Sequence, residues 1–386
     1  MELESTIQIK EKVVQFIRKE TVLVIAALLA VISIFITPVS REYISYMDFR
    51  TLGLLFCLMT VMAAFDFLGV FYALGKSLLT YAGSMRQVYA MLVFLCFFSS
   101  MFITNDVALI TFVPFSIEVL QMVKQENKLI PVIVLQTIAA NLGSMFTPIG
   151  NPQNLYLYNL SGMTLMQFMK LMAPFSVGAF AILVFALFLF PRDKSLPSDL
   201  LCYAEEDIES QAISRKSILI YLLLFFLCIA TVAHMIPYQI TMVTVILVTL
   251  LFQKEILKKV DYSLLLTFIS FFIFIGNLGQ TQMIKNFMRT MTDGNEILAG
   301  IGASQFISNV PAAILLSGFS TNYRQLIVGV NLGGLGTLIA SMASLISYKY
   351  YVQSYQEKKG KYLAVFTLTN VICLFILLFL DKIFLK

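Results

Sequence analysis

The chain has 386 residues, of which 59% are apolar and only 13% charged, with 34 Phe and 19 Met. Soluble domains average roughly 45–50% apolar and about 25% charged, so this much apolar surface needs the bilayer as its solvent. That excludes a soluble enzyme, a nucleic-acid-binding domain and a disordered protein, and it makes the net charge of +5 loop charge rather than a nucleic-acid footprint.

In chain order, segment 1–20 is charged and amphipathic and reads as cytoplasmic. The apolar run that starts at Thr21 carries no small-residue cleavage site and reads as a retained first span. Nine segments approach the ~20 residues a helical crossing needs: 21–39, 50–66, 131–160, 168–191, 217–236, 238–253, 261–279, 326–348 and 363–381. Two further apolar stretches are interrupted by polar residues. In 87–122 the interruption is Ile103, Thr104, Asn105 and Asp106; in 298–321 it is Ile307, Ser308, Asn309, Val310 and Pro311. Each is expected to form a re-entrant hairpin or a pair of short spans that returns to the side it left. With the N-terminus inside, 19 of the 27 Lys and Arg fall on cytoplasmic segments and 8 outside, as the positive-inside rule asks. The polar insert 191–216, with Glu205, Glu206, Asp207 and Glu209, reads as a solvated cytoplasmic linker. Of the five cysteines, Cys57, Cys96, Cys228 and Cys373 sit in apolar runs and Cys202 in the linker, and no CxxC spacing occurs, so neither a disulfide framework nor a zinc site is expected.

The two halves resemble each other. Residues 141–158 (NLGSMFTPIGNPQNLYLY) and 331–348 (NLGGLGTLIASMASLISY) align without a gap at 7 of 18 positions. Upstream, Phe102, Ile103, Thr104, Asn105 matches Phe306, Ile307, Ser308, Asn309. The expected fold is an all-α integral membrane protein with two inverted-topology repeats, re-entrant hairpins and discontinuous helices. The first repeat covers 21–191, the linker and a linking helix 192–237, and the second repeat 238–386. Inverted-repeat secondary carriers place their sites near the midplane, where broken helices meet.

Unwound backbone survives in lipid only when protein or an aqueous cavity surrounds it. Pro148, Gly150 and Pro152 break one helix; Gly333, Gly334 and Gly336 loosen the other. Such breaks expose N–H groups suited to anions and carbonyls suited to Na⁺. The expected site lining is Thr104, Asn105, Asp106, Asn141, Thr147, Gly150, Asn151, Asn154, Ser308, Asn309, Asn331, Thr337, Ser341 and Ser344, with Asn105, Asp106 and Asn309 as candidate Na⁺ ligands. The plainer reading of such residues, bonding between neighbouring helices, applies to each of them singly. It is the expected role of Gly329 and Gly333. Asp106, an acid inside an apolar segment, is the sharpest single candidate, and its repeat counterpart is Val310. Asp66 reads as the cytoplasmic end of its span, Glu118 as solvated, and His234, the only histidine, has no partner at metal-ligand spacing.

These motifs resemble the ion-transporter superfamily of secondary carriers: divalent-anion/sodium symporters, citrate permeases, arsenite permeases and a class of sodium/proton antiporters. FITNDVALITFVPF (102–115), AANLGSMFTPIGNPQNLYLY (139–158) and SNVPAAILL (308–316) look most like the citrate- and arsenite-permease branches. In the divalent-anion branch, Ser-Asn-Thr triplets at both hairpin tips hold Na⁺ and substrate carboxylate. The resemblance puts Thr104, Asn105, Asp106 and Ser308, Asn309, Val310 in those places, with the third position changed to Asp in one half and Val in the other. It implies a homodimer moving substrate by an elevator-like displacement.

The expected function is cation-coupled (Na⁺ or H⁺) secondary transport of a small anion, a carboxylate or inorganic oxyanion, in a prokaryotic cytoplasmic membrane. The alternative on the same fold is sodium/proton exchange or arsenite-type efflux. No further cofactor and no nucleic acid are expected. An intramembrane enzyme would need paired acids, a His cluster or a Ser with a basic partner, and no Walker-type loop is present for ATP-driven pumping.

Overall fold

The computed structural model of the chain describes residues 20–191 and 215–384, with side chains to 381. The readings of 1–20 as a cytoplasmic segment and of 192–216 as a linker therefore fall almost wholly outside the described residues. Among those described, the chain is helical and contains no strand.

The elements are α1 (Thr21–Ser33), α2 (Phe49–Phe67), α3 (Val70–Leu79), α4 (Met85–Ser99), α5 (Asn105–Met122), α6 (Leu129–Ser144), α7 (Pro152–Ser161), α8 (Leu165–Phe188) and α9 (Arg215–Val232). They continue with α10 (Tyr238–Gln253), α11 (Tyr262–Gly279), α12 (Gln282–Thr292), α13 (Glu296–Ile307), α14 (Asn309–Ser317), α15 (Tyr323–Leu332), α16 (Met342–Ser354) and α17 (Lys359–Phe384). Six helical stretches among the described residues are long and apolar enough to cross a bilayer: Phe49–Phe67, Leu165–Phe188, Arg215–Val232, Tyr238–Lys259, Tyr262–Gly279 and Gln356–Asp381. The protein is a multi-pass membrane protein.

Local chemistry sets the helix ends. Asp48 accepts from Thr51 N, Ser84 from Gln87 N and Asp261 from Leu264 N, each satisfying a first-turn N–H. Thr164 and Gln167 form a reciprocal capping box at α8. Gly162 takes φ +63 after α7, a left-handed position that suits glycine.

Three expected spans differ in detail. The segment 21–39 is helical only to Ser33; residues 34–37 form a turn ahead of Pro38, where the missing N–H would in any case stop a helix. Segments 131–160 and 326–348 are each two helices, separated by residues 145–151 and 333–341. Two helices had no counterpart in the sequence reading: α3 and α12, both short and both directly ahead of an interrupted stretch.

The packing divides the helices. The interrupted and broken segments α4–α7 and α13–α16 pack on one another, while α1, α2, α9, α10 and α11 form a group to one side and α8 and α17 pair on another. Within the first group, α6 is buried at every residue but Pro131, as a helix apolar all round should be. By contrast α8 and α10 leave Phe185, Phe188, Leu247 and Leu251 outward, as lipid-facing helices do.

Candidate functional site

The first interrupted stretch places α4 and α5 side by side, joined by residues 100–104. The second joins α13 and α14 through the single residue Ser308, whose φ of +72 and ψ of 156 lie in a region non-glycine residues rarely occupy. At both tips an Asn opens the second helix and folds its amide oxygen back onto the next backbone N–H: Asn105 Oδ1 accepts from Asp106 N, and Asn309 Oδ1 from Val310 N, each at 3.0 Å.

The breaks meet between these tips. In the first, Asn151 caps α7 by accepting from Asn154 N, with Pro152 as the first helical residue. Asn154 Nδ2 donates to the carbonyls of Ser144, Met145 and Thr147 at the helix break; Thr147 O also accepts from Gly150 N. Across the halves, Asn141 Nδ2 donates to Ser344 Oγ and Gly334 O, and Asn141 Oδ1 accepts from Ser341 Oγ. In the opposite direction, Asn331 Nδ2 donates to Asn154 Oδ1 at 2.6 Å, and Asn331 Oδ1 accepts from Asn151 Nδ2 at 3.2 Å. Sequence alignment makes 331 the counterpart of 141, and 341 and 344 those of 151 and 154. The exchange is therefore reciprocal: each half's Asn reaches the same two positions of the other half.

The tips join this network. Asn105 Nδ2 donates to Asn141 Oδ1 at 3.0 Å, and Asn105 N to Gly150 O. Thr147 Oγ1 donates to Met101 O, and Thr337 Oγ1 to Gln305 O; Met101 and Gln305 each stand three residues before the tip hydroxyl. Asn309 is 5% exposed and lies against Gly334, where a Cβ would fall 3.2 Å from Asn309 Nδ2. Of the expected lining residues, the structure thus gathers Asn105, Asn141, Asn151, Asn154, Asn331, Ser341 and Ser344 into one buried network, with Ser144 added. Gly150 O accepts from Asn105 N of this network, while Thr147 and Thr337 bond Met101 O and Gln305 O beside it. Ser308 and Asn309 abut it. Thr337 itself is exposed.

Asp106 points elsewhere. It lines a cavity of about 200 Å³ with Asp66, Thr104, Pro152, Lys259 and Asp261. A second cavity of about 110 Å³ reaches the other tip and is lined by Val310, Pro311, Lys349 and again Asp261. Asp261 therefore faces both tips. Of the three candidate Na⁺ ligands, Asn105 and Asn309 each turn the amide oxygen onto the next backbone N–H, and Asp106 lines the first cavity. Among the described residues, no three His, Cys, Asp or Glu converge as a metal site.

A profile of the family described as citrate transporter (CitMHS) matches residues 8–325. The chain belongs to the citrate transporter family. Members of this family are transporters, not enzymes. The chain is 33% identical over 303 residues to an uncharacterized transporter of Methanocaldococcus jannaschii, covering 78% of this chain and 80% of that one. It is 28% identical over 323 residues to the inner membrane protein YbiR of Escherichia coli, covering 82% and 84%. A part of the P protein of Sus scrofa, 22% of its length, is 30% identical to 48% of this chain.

Several polar residues of this transporter escaped the sequence reading. Gln136, fully buried in α6, donates to Ser116 Oγ and Leu92 O, tying both arms of the first hairpin. Gln305 donates to Gly333 O and Leu335 O and accepts from Thr337 N, holding the second break open. A Gln inside an apolar helix was the available signal for both. Lys259 and Asp261 sit beside helix ends, where a charge looks solvated until the cavities are seen, and Lys349 lies within α16. Gly329 and Gly333 have their expected packing role: a Cβ would lie 2.7 Å from Ile297 Cα or 2.6 Å from Ser304 Oγ. Glu118 is exposed as expected, and Asp66 ends α2. His234 Nδ1 accepts from Arg50 Nη2, and the ring stacks on Tyr158 at 5.4 Å.

Proposed function

We propose that this protein is a cation-coupled secondary active transporter of a small anion, a carboxylate first and an inorganic oxyanion second, working by alternating access. The observation that carries the reading is the reciprocal bonding of Asn141 and Asn331. When i meets j′ and i′ meets j, the contact has the form of a two-fold interface. Two copies of one unit joined by the single linking helix α9 run in opposite directions through the membrane, with α4–α5 and α13–α14 as re-entrant hairpins. A polar, unwound centre of that kind is the arrangement of inverted-repeat carriers.

The electrostatics fit an anion at the tips and a cation beside it. The N-terminal ends of α5 and α14 carry partial positive charge, and the carboxylate of Asp106, at the start of α5, is available to Na⁺ or H⁺. Lys259, Asp261 and Lys349 come from segments that the positive-inside rule puts in the cytoplasm, which supports a cytoplasmic N-terminus, in a prokaryotic cell membrane. Two chains would associate, and the hairpin-bearing group would move as an elevator against α1, α2 and α9–α11.

Reconstituted vesicles test the reading: gradients of Na⁺ or H⁺ are applied with citrate, malate, sulfate, phosphate and arsenite as candidate substrates. Asp106→Asn is expected to abolish gradient-driven uptake with the thermal midpoint retained; unchanged uptake removes Asp106 from the mechanism. A second reading, sodium/proton exchange or arsenite efflux, is favoured by one observation: Asp66, Asp106 and Asp261 share their cavity with a single cation, Lys259. Thermal stabilisation by Na⁺ with no response to any anion supports that second reading.

A further inference from the structure

Three elements bring a polar residue to one place at the edge of the apolar region. Asn295 directly precedes α13, Gln325 lies in the first turn of α15, and Asp381 closes the apolar run of α17. All three line one groove of about 570 Å³, whose walls also include Leu298, Phe375 and Phe379. Those last three are 62%, 67% and 66% exposed, an outward apolar surface in a chain that spans a membrane.

The groove is ordered by depth. Helices α13 and α15 begin at this edge and α17 ends at it, so Asn295, Gln325 and Asp381 stand at one level. Leu298 lies farther into α13, and Phe375 lies about 9 Å back along α17 from Asp381. Polar groups therefore line the rim and apolar groups the interior, the profile of a phospholipid read from headgroup to acyl chain.

The rim has unmet chemistry. Oδ1 of Asp381 is buried and meets no hydrogen-bond donor, and the carboxylate forms no ion pair among the described residues. A carboxylate oxygen shut away from water without a donor is costly, and a cation from outside the chain would relieve that cost. The Asn295 side chain does not cap α13, and Gln325 is bonded through its backbone N–H to Asn322 rather than through its amide. Two amide groups thus have N–H donors to offer beside one acid.

We propose that this groove holds a phospholipid whose headgroup carries a primary amine. The ammonium donates to Asp381 Oδ1, the phosphate accepts from the amides of Asn295 and Gln325, and an acyl chain lies along Leu298, Phe375 and Phe379. An ammonium brings both a charge and N–H donors to the acid. A choline headgroup brings the charge without a donor, and an anionic headgroup meets repulsion. The seated lipid bridges α17 and the first arm of the second interrupted stretch. The inference rests on the membrane location of the chain and not on the transported substrate or coupling ion.

The chain contains no tryptophan, so a single introduced indole reports its own surroundings. Full-length Phe375→Trp protein is reconstituted into phosphatidylcholine vesicles carrying a minor fraction of one lipid with brominated acyl chains. Brominated phosphatidylethanolamine is expected to occupy the groove about threefold more tightly than brominated phosphatidylcholine, the size of a partly exposed charge pair. Brominated phosphatidylglycerol is expected to bind no better than phosphatidylcholine. Asp381→Asn is expected to bring the ethanolamine-to-choline ratio to one. Phe185→Trp on α8, outside the groove, is expected to give a ratio of one with Asp381 intact. Phe379→Trp serves as a second reporter if Phe375→Trp fails to fold. Equal quenching by the ethanolamine and choline lipids at 375 overturns the proposal, because bulk lipid then fills the groove without recognition. A preference that survives Asp381→Asn, or one for phosphatidylglycerol, overturns it as well. Absence of quenching by any of the lipids means that protein covers the groove.

Discussion

The two broken segments perform one task with different backbone devices. The first carries Gly150, where a Cβ would lie 2.1 Å from Ser144 O; the second carries the buried Ala340 at the matching position. The first hairpin turns through residues 100–104, with Thr104 in relaxed extended geometry, while the second turns at Ser308 with φ +72. What the halves share is the placement of hydrogen-bonding side chains: Asn at 141 and 331, Asn or Ser at 151 and 341, Asn or Ser at 154 and 344. The comparison teaches that the two halves agree in their polar network and differ in the turns around it.

The largest expected effect tests the backbone side of that contrast. Gly150→Ala drives a methyl into the carbonyl of Ser144, and a backbone atom cannot step aside as a side chain can. The expected loss is about 3 kcal/mol or more, seen as failure to accumulate or a collapsed thermal midpoint. Ala340→Gly is expected to lose only ~0.5–1 kcal/mol through backbone freedom. Equal effects at the two positions would break the contrast.

Next in size are Asn141→Ala and Asn331→Ala. Each removes bonds between halves and leaves buried partners unmet, a loss of roughly 2–3 kcal/mol. Near-equal losses sharpen the idea of a reciprocal contact. A double-mutant cycle of Asn141 with Ser344 is expected to give about 1 kcal/mol of coupling; additive losses would mean that the bond between halves is idle.

The sequence carried much of this centre, because Asn, Gly and Pro inside apolar runs have few uses in lipid other than breaks and bonds. Asn141, Asn151, Asn154 and Asn331 were legible for that reason. What the pattern lacked was direction. Asn105 and Asn309 read as a matched pair, and the structure adds that each turns its oxygen onto the next backbone N–H. Lys259 and Asp261 stand between the expected spans 238–253 and 261–279 or at their edge, where a linear reading sees no cavity. Helices α3 and α12 were missed because ten or eleven mixed residues fall below the length that signals a span.

A smaller effect separates the tips. Ser308 holds a backbone conformation that costs of order 1–3 kcal/mol for a residue with a Cβ, and its hydroxyl returns only a 3.4 Å bond to Asn309 Oδ1. Ser308→Gly is expected to raise stability by about 1 kcal/mol, read as a higher thermal midpoint. Thr104→Gly is expected to lower it by a similar amount, since Thr104 relieves nothing by losing its side chain. If both substitutions destabilise alike, Ser308 is not strained and the tips are alike in energy.

The smallest effect concerns where each half's second helix ends. Tyr158 and Tyr348 are repeat counterparts; Tyr158 stacks on His234, whereas Tyr348 packs against Tyr362 at 5.7 Å. Only the first of these contacts contains a group that ordinarily changes charge between pH 5 and 8. Partial desolvation of the His234 ring, with the Arg50 guanidinium second, pulls its pKa below the usual imidazole value. A base whose folded pKa is lowered takes up its proton more readily in the unfolded chain, so stability is full above the unfolded pKa and is lost as pH falls through the folded one. Protonation also places a second positive charge against Arg50 Nη2 and removes the acceptor that holds it. The thermal midpoint of the native chain is therefore expected to fall by a few degrees between pH 7.5 and 5, and His234→Gln is expected to flatten that fall. Tyr348→Phe, on the other half, is expected to leave the pH profile unchanged, and a profile that His234→Gln does not alter would mean the acid sensitivity arises elsewhere.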